Sequence, residues 1–507
     1  MSNLRSQANA VSAGRGVSYL WFQNIVSSAV RLVAFIFFAR LISVEDMGVY
    51  TILTLAYTAA SAFMSLGLPN VVTKLVAENV AVGNKQMAAS VYYESLALSE
   101  VASILIAVVF LLSKFPAGVS HLPNSAEVSA IGLFFAVDIL ASLGTTPGAV
   151  FFGLYEFKDF AVIYGAYNSF RPWLVILLIY GTRSLVGLVE AWVIADSALA
   201  VCQVVYLWRR LGPPVFKFDM KYLLKLSSPL YLSTIATFLY SSFDQLILIP
   251  LVSLTALGVY GVAVSAFTAY YVLISVLGSV LLPVLSGVYG ARGSDALKDS
   301  VYSASRYVSI VAMPMAFALV AVARPALTLL GGVRYAEGVA PLTVLTLASV
   351  FTIIGMTLGP ILIVLNETRL AALCSVLPLA LSAGVGLVLI PVLGIIGASI
   401  ARGLSFALTL LLQLYFVRRK TAVKFDSQTL MKSIVASGAM TLAMDALQLS
   451  YYSRFLLPIY LSVGLAVYLL AMRALRAITA ADMDLIRKML GPRFTRICDL
   501  LTRLIVR

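Results

Sequence analysis

Apolar runs separated by short polar breaks recur from one end of the chain to the other. Each holds about 18 residues or more, enough for a helix to cross a hydrocarbon core of about 30 Å. Read in this way, the chain has fourteen membrane-spanning helices, at 17–41, 47–66, 88–112, 128–151, 159–180, 185–208, 228–250, 256–280, 303–323, 340–364, 370–391, 394–417, 430–449 and 453–475. The segments between them read as short loops, and no soluble domain interrupts the series. The expected fold class is all-α, a polytopic membrane protein.

Polar residues inside these spans fall at helical spacing and gather on faces. The first span aligns Asn24, Ser27, Ser28 and Arg31; the fifth aligns Tyr164, Asn168 and Arg171; the twelfth aligns Ser399, Arg402, Ser405 and Thr409. Acids have faces of their own: Asp138 with Ser142 and Thr145 on the fourth span, and Asp244 with Thr237, Tyr240 and Ser241 on the seventh. Glu94, Glu100, Glu190, Asp196 and Asp445 also fall within spans. An ionisable residue at mid-bilayer costs about 2.5–3.5 kcal/mol on insertion scales, so these faces are expected to enclose a polar interior.

A guanidinium stays charged and can hold phosphate oxygens bidentately. Arg31, Arg171 and Arg402, with Asn24 and Asn168 beside the first two, are therefore candidates for binding an anionic substrate. The structural alternative pairs the arginines with Asp138, Glu100 or Glu190 to hold helices together. Asp244, Asp138 and Glu190 are candidates for ion coupling or gating. Asp244 could pair with Arg31, or bind a coupling proton or sodium ion.

Composition agrees with a bilayer solvent, since 61% of the 507 residues are hydrophobic and only 11% charged. A soluble chain of this size would need more charge to cover its surface. Of the 36 lysines and arginines, 27 fall in or beside segments on the same side as the N-terminus. Six lie opposite: Arg40, Lys114, Arg183, Arg324, Arg334 and Arg454. That bias places both termini in the cytoplasm of a cell (plasma) membrane protein. The net charge of +14 then belongs to clusters such as Arg209-Arg210 with Lys217, Lys221 and Lys225, and Arg418-Arg419-Lys420. These are expected against anionic lipid headgroups rather than nucleic acid.

Cys202, Cys374 and Cys498 are widely spaced packing residues, and the only histidine, His121, sits in a predicted loop. Neither a metal site nor a histidine-based triad is expected. The chain is read as no enzyme, because its longest outer loop, 113–127, offers only His121 and Glu127 for acid–base chemistry. The tail, 477–507, spaces Ile486, Leu490, Ile497, Leu501 and Leu504 between basic residues, and reads as an interfacial amphipathic segment.

An internal repeat organises the spans. Ser43, Gly48, Val49 and Tyr50 joining the first two spans recur as Ser253, Gly258, Val259 and Tyr260 joining the seventh and eighth, a constant offset of 210. The first copy is a capping box, with Ser43 as N-cap and Asp46 three residues on. Both copies follow an odd-numbered span, which implies parallel repeats with a substrate site between them. The expected organisation is a six-helix bundle over 1–212, a second over 213–420, two further helices over 421–476 and the tail over 477–507.

These residues resemble a known family, the polysaccharide or lipid-linked oligosaccharide flippases of the multidrug/oligosaccharidyl-lipid/polysaccharide (MOP) exporter superfamily. The motifs are Ala39-Arg40-Leu41-Ile42 leading into Glu45-Asp46-Met47-Gly48-Val49-Tyr50, Leu226-Ser227-Ser228-Pro229-Leu230 with Asp244 beyond it, and Gly258-Val259-Tyr260. Further matches are Leu282-Pro283-Val284-Leu285-Ser286 and Ile390-Pro391 through Gly394-Ile395-Ile396-Gly397-Ala398. Together they cover roughly residues 15 to 420. The resemblance implies two six-helix bundles that alternate between inward- and outward-facing states, with basic cavity residues holding the phosphate of a lipid-linked glycan. The chain departs from sodium-coupled relatives, because its eleventh span offers no carboxylate to join Asp244.

The function expected is a monomeric flippase for a polyprenyl- or dolichyl-(di)phosphate-linked oligosaccharide, with no cofactor beyond a coupling proton or sodium ion. The competing reading is a drug or organic-cation antiporter of the same superfamily, kept alive by Asp138, Glu190 and Asp244.

Overall fold

A computed structural model describes residues 2–112, 125–141, 146–421, 423 and 425–477. His121, Ser142, Thr145, Cys498 and the amphipathic tail beyond residue 477 lie outside the described residues. The chain divides into two compact units, Met1–Ser242 and Phe243–Arg507. The first holds α1 (Ser2–Leu41), α2 (Val44–Met64), α3 (Leu68–Ala81), α4 (Lys85–Leu112), α5 (Ser125–Ala141), α6 (Thr146–Gly153), α7 (Phe157–Thr182) and α8 (Val186–Leu211). The division falls within α9 (Met220–Leu251). The second unit continues with α10 (Leu254–Ala321), α11 (Ala323–Gly331), α12 (Val339–Val364), α13 (Thr368–Leu393), α14 (Ile395–Lys420), α15 (Ser427–Ser450) and α16 (Leu457–Ala474). Short 3-10 turns at Val333–Gly338 and Arg454–Leu456 complete it.

The fold is all-α among the described residues, and 13 segments are long and apolar enough to cross a membrane. Each answers one of the fourteen predicted spans. The remaining one, predicted at 128–151, is α5 with a shorter apolar stretch, Ala130–Ile139, followed by α6. In a bilayer core only structures that satisfy their own backbone hydrogen bonds can span, which is why a 61% hydrophobic chain resolves into helices.

The repeat motif marks helix starts in both units. Ser43 caps α2, its Oγ accepting from Asp46 N at 3.0 Å while the Asp46 carboxylate accepts from Ser43 N. Ser253 caps α10, accepting from Ala256 N at 3.3 Å. Each such cap satisfies a helix N–H that has no partner within its own helix, a contribution of about 1 kcal/mol.

Two segments read as loops are helical. Between the second and third spans lies α3, whose Leu68, Val71, Val72, Leu75 and Val76 are buried while Lys74 and Glu78 pair outside. That i, i+3, i+4, i+7, i+8 pattern is an amphipathic helix too short and polar to span. Likewise the predicted loop 281–302 continues α10, interrupted only at Gly293, whose φ of 75° breaks the helix. Leu297 and Val301 are fully buried there against Leu285, Leu358, Ile361 and Leu362.

The segment after α8 is tied down in the first unit. Tyr93 donates to Gly212 O at 2.8 Å, and Ser90 Oγ accepts from the N–H groups of Lys217 and Phe218. Buried Glu94 accepts from Ser90 and from Phe218 N. In the second unit α15 and α16 pack on the end of α10 through Met440, Met444, Tyr460, Tyr468 and Met472. Arg306 of α10 joins this contact by pairing with Asp426 and donating to Ala477 O.

The tightest backbone approach in the first unit is at Gly67. It has φ +70°, and a Cβ there would lie 2.4 Å from Tyr231 N and 2.6 Å from Ser227 O. Both strain and clash oppose any side chain. Gly67→Ala is expected to lower stability by about 2 kcal/mol or more, read as a reduced melting temperature of detergent-purified protein. Gly438→Ala, inside α15 where nothing lies within 4 Å, should not lower it.

Candidate functional site

The polar face of α1 and the polar face of α7 meet in the first unit. Arg31 donates to Ser28 Oγ at 3.1 Å, one turn earlier on its own helix, and to Asn168 Oδ1 of α7 at 3.4 Å. Asn168 is itself oriented by donating to Tyr164 O. Buried Gln23 and Ser27 hydrogen-bond each other further along α1. Asn24 shares this face but is exposed and does not line the cavity described next.

The cavity has a volume of about 320 Å³ and is bordered by α1, α2, α7 and α8. Its polar groups include Arg31, Asn168, Arg171, Thr54 and Thr58, and its walls are aromatic: Phe38, Tyr50, Tyr57 and Trp192. Phe38 packs on Tyr50, and Trp192 on both Tyr50 and Tyr57, so the rings form one continuous surface. Such a wall suits sugars and other ring-shaped groups with apolar faces.

The two cavity arginines differ in how their charge is answered. Arg171 sits over the rings of Trp192, Tyr57 and Tyr167, with its carbon 4.8, 5.2 and 5.7 Å from their centroids. Its Nη2 pairs with Asp196 Oδ2 at 3.4 Å, and Asp196 also accepts from Tyr57 at 3.0 Å and Tyr167 at 2.5 Å. Asp196 is 2% exposed. Arg31, by contrast, is exposed and makes no ion pair among the described residues. Its bonds go to neutral oxygens, so it contributes an uncompensated positive charge to the cavity.

The second unit repeats the chemistry on different helices. Arg402 of α14 pairs with Asp244 of α9 at 3.1 Å, and Tyr260 donates to the same carboxylate. Phe267 and Phe406 lie against the guanidinium. The expected structural partners of the arginines, Asp138, Glu100 and Glu190, are therefore replaced by Asp196 for Arg171 and Asp244 for Arg402. A face read along one helix identifies a polar side chain but not the neighbour that meets it. Asp138 is fully buried on α5, Glu190 is half-buried on α8, and neither lines the cavity.

Sequence reasoning passed over the aromatic walls. The signal was present: Tyr50, Thr54, Tyr57 and Thr58 fall at i, i+4, i+7 and i+8 on α2, and Trp192 and Asp196 at i, i+4 on α8. All but Asp196 line the cavity.

Two helical units, the first with an arginine-bearing cavity walled by its helices, make up the fold. The MOP superfamily shares it. The lipid II flippase MurJ in an inward closed conformation superposes with a TM-score of 0.69 at 15% identity, covering 92% of this chain and 99% of MurJ. A multidrug resistance MATE family transporter, inward-facing, gives 0.64 at 16% identity over 78% of this chain and 94% of its own. A Vibrio cholerae MATE transporter, VcmN, gives 0.54 at 14% identity, covering 82% and 98%. No curated protein sequence matches the chain. Residues 36–340 match the family described as polysaccharide biosynthesis protein, and the chain belongs to that family. Its many apolar helices make it a multi-pass membrane protein, with a fold like that of these MOP superfamily structures.

The contrast between the arginines can be measured. Removing one partner of a buried pair strands the other charge, at a cost of about 3–5 kcal/mol. Arg171→Ala and Asp196→Ala should each lower the melting temperature markedly, and the double variant should lose less than their sum. Arg31→Ala, which strands no acid, should melt within a few degrees of wild type.

Proposed function

We propose that this protein is a flippase, carrying an oligosaccharide linked to a polyprenyl or dolichyl carrier through phosphate or diphosphate from the cytoplasmic to the outer leaflet by alternating access. The observation that carries the reading is Arg31, a guanidinium within the membrane-spanning part of α1 whose charge no acid among the described residues answers. A charge held at that depth without a partner is costly, and an anionic substrate headgroup would supply one. Aromatic rings beside it suit the sugar that follows the phosphate, while the lipid tail remains in the bilayer. The polysaccharide biosynthesis family supports the glycan as cargo.

A drug or organic-cation antiporter shares the fold. Its cargo would need a cavity dominated by carboxylates, yet Asp196 is engaged by Arg171 and two tyrosines, and Arg31 is left positive. That charge balance opposes a cationic cargo.

The test is substitution of Arg31. A charge-assisted pair with phosphate contributes about 1.5–3 kcal/mol, so Arg31→Ala should weaken substrate binding about 10- to 100-fold and abolish flipping in a reconstituted assay at normal folded yield. Arg31→Lys should restore part of the activity, because it keeps the charge but not the bidentate geometry. Normal flipping by folded Arg31→Ala would remove the assignment.

The charge bias of the segments supports a plasma-membrane protein with both termini in the cytoplasm. Single cysteines in a background lacking Cys202, Cys374 and Cys498 should react with an impermeant thiol reagent from outside at 114–124, and at 210–220 only after permeabilisation. Labelling of 210–220 in intact cells would reverse the orientation.

A further inference from the structure

Basic residues are scarce on the side opposite the N-terminus, yet three of them, Arg324, Arg334 and Arg454, fall in the second unit. There α11 packs on both the turn Val333–Gly338 and the turn Arg454–Leu456 that joins α15 to α16. The three arginines therefore belong to one end of that unit. Glu337 is the only acid in 321–340 and 446–460, so this end is positive.

The turn between α15 and α16 is held in shape by its own hydrogen bonds. Buried Tyr460 accepts from Ser453 N at 2.9 Å and donates to Tyr451 O at 2.6 Å, and Ser453 Oγ accepts from Phe455 N at 3.3 Å. Gln448 ties the end of α15 to the end of α10 by donating to Ala321 O at 2.9 Å. The turn so fixed presents three rings, Tyr451, Tyr452 and Phe455, which are 70%, 49% and 68% exposed. Arg324 of α11 lies over the Tyr452 ring at 5.3 Å, and Thr328 shares a hydrogen bond with the hydroxyl of the same tyrosine. Arg454 lies over Phe455 at 5.1 Å. Among the described residues neither the Arg324 nor the Arg454 guanidinium makes an ion pair or a hydrogen bond. A guanidinium resting on a ring keeps its in-plane N–H donors for another partner.

Exposed rings at helix ends mark the membrane–water interface in many proteins, but an aromatic belt does not by itself require arginines. We propose that this end of the second unit, built on Arg324, Arg454 and the rings beside them, is a second binding site for the diphosphate headgroup of a lipid-linked glycan, on the outer side. Two guanidiniums with free donors can answer two phosphates, and Tyr451 or Phe455 offers a face to the sugar that follows. Phosphatidylglycerol, with one phosphate and no sugar, would use only part of the set. The inference rests on the phosphate and orientation readings given above, and adds to them the place where the headgroup is held once it has crossed.

The experiment is titration calorimetry of the full-length protein in phosphatidylcholine nanodiscs, which expose both faces, with farnesyl diphosphate as the probe. Wild type is expected to bind two equivalents. Arg31→Ala should lose the cavity equivalent and keep the other. The double variant Arg324→Gln, Arg454→Gln should keep the cavity equivalent and weaken the other by about tenfold or more. Arg324 is exposed and pairs with no acid, so Arg324→Gln alone serves should the double variant fold poorly. A single equivalent in wild type, lost in Arg31→Ala, would overturn the second site and leave the phosphate reading of the cavity standing. A single equivalent lost only in the double variant would overturn the cavity reading, and with it the assignment of this end to translocated headgroup. No binding by wild type would overturn both. Adding phosphatidylglycerol to the nanodisc should leave the second equivalent in place; its displacement would assign the arginines to ordinary anionic phospholipid and overturn the proposal.

Discussion

Within a hydrocarbon solvent an arginine must be answered by something, and the kind of answer sorts Arg31, Arg171 and Arg402. Arg171 and Arg402 are answered by protein: an aspartate, tyrosine hydroxyls that hold that aspartate in place, and aromatic rings against the guanidinium. These arrangements join α7 to α8 in one unit and α9 to α14 in the other. A buried pair of this sort is weak evidence of net stabilisation, but breaking it leaves an unpaired charge, so it fixes which helix meets which. Among the described residues Arg31 is answered by Ser28 and Asn168 alone. The rest of the functional account depends on that difference.

Charge and shape act together around Arg31. The cavity offers one uncompensated cation, an amide and a run of rings. On the proposed reading, a phosphate would supply the missing negative charge and a sugar a face for Tyr57 or Trp192. Arg171 is close enough to take part but is shared with Asp196.

Most of the fold was legible in the sequence because the bilayer imposes one rule on every span, length and apolarity. What escaped were segments governed by other rules. α3 and the middle of α10 are amphipathic and partly charged, so hydropathy read them as loops, while their buried Leu75, Val76, Leu297 and Val301 follow the ordinary 3.6-residue period. The site was legible one helix at a time. Polar stripes identified Arg31, Asn168 and Arg171, which the structure brings together. They could not reveal that Asp196 rather than Asp138, Glu100 or Glu190 meets Arg171, because pairing across helices is set by packing angle and rotation. The aromatic stripe of α2 was overlooked because tyrosines in an apolar helix look like ordinary packing.

The central claim is that Arg31 presents its charge to a phosphate-linked glycan lipid. The most direct measurement is leaflet exchange of a fluorescent polyprenyl-diphosphate oligosaccharide in proteoliposomes, followed by quenching from outside, with farnesyl diphosphate or a cationic dye as competitor. The account predicts exchange that requires the protein, slows with farnesyl diphosphate and ignores the dye. Exchange no faster than in empty liposomes, or inhibition by the dye but not by the diphosphate, would contradict it.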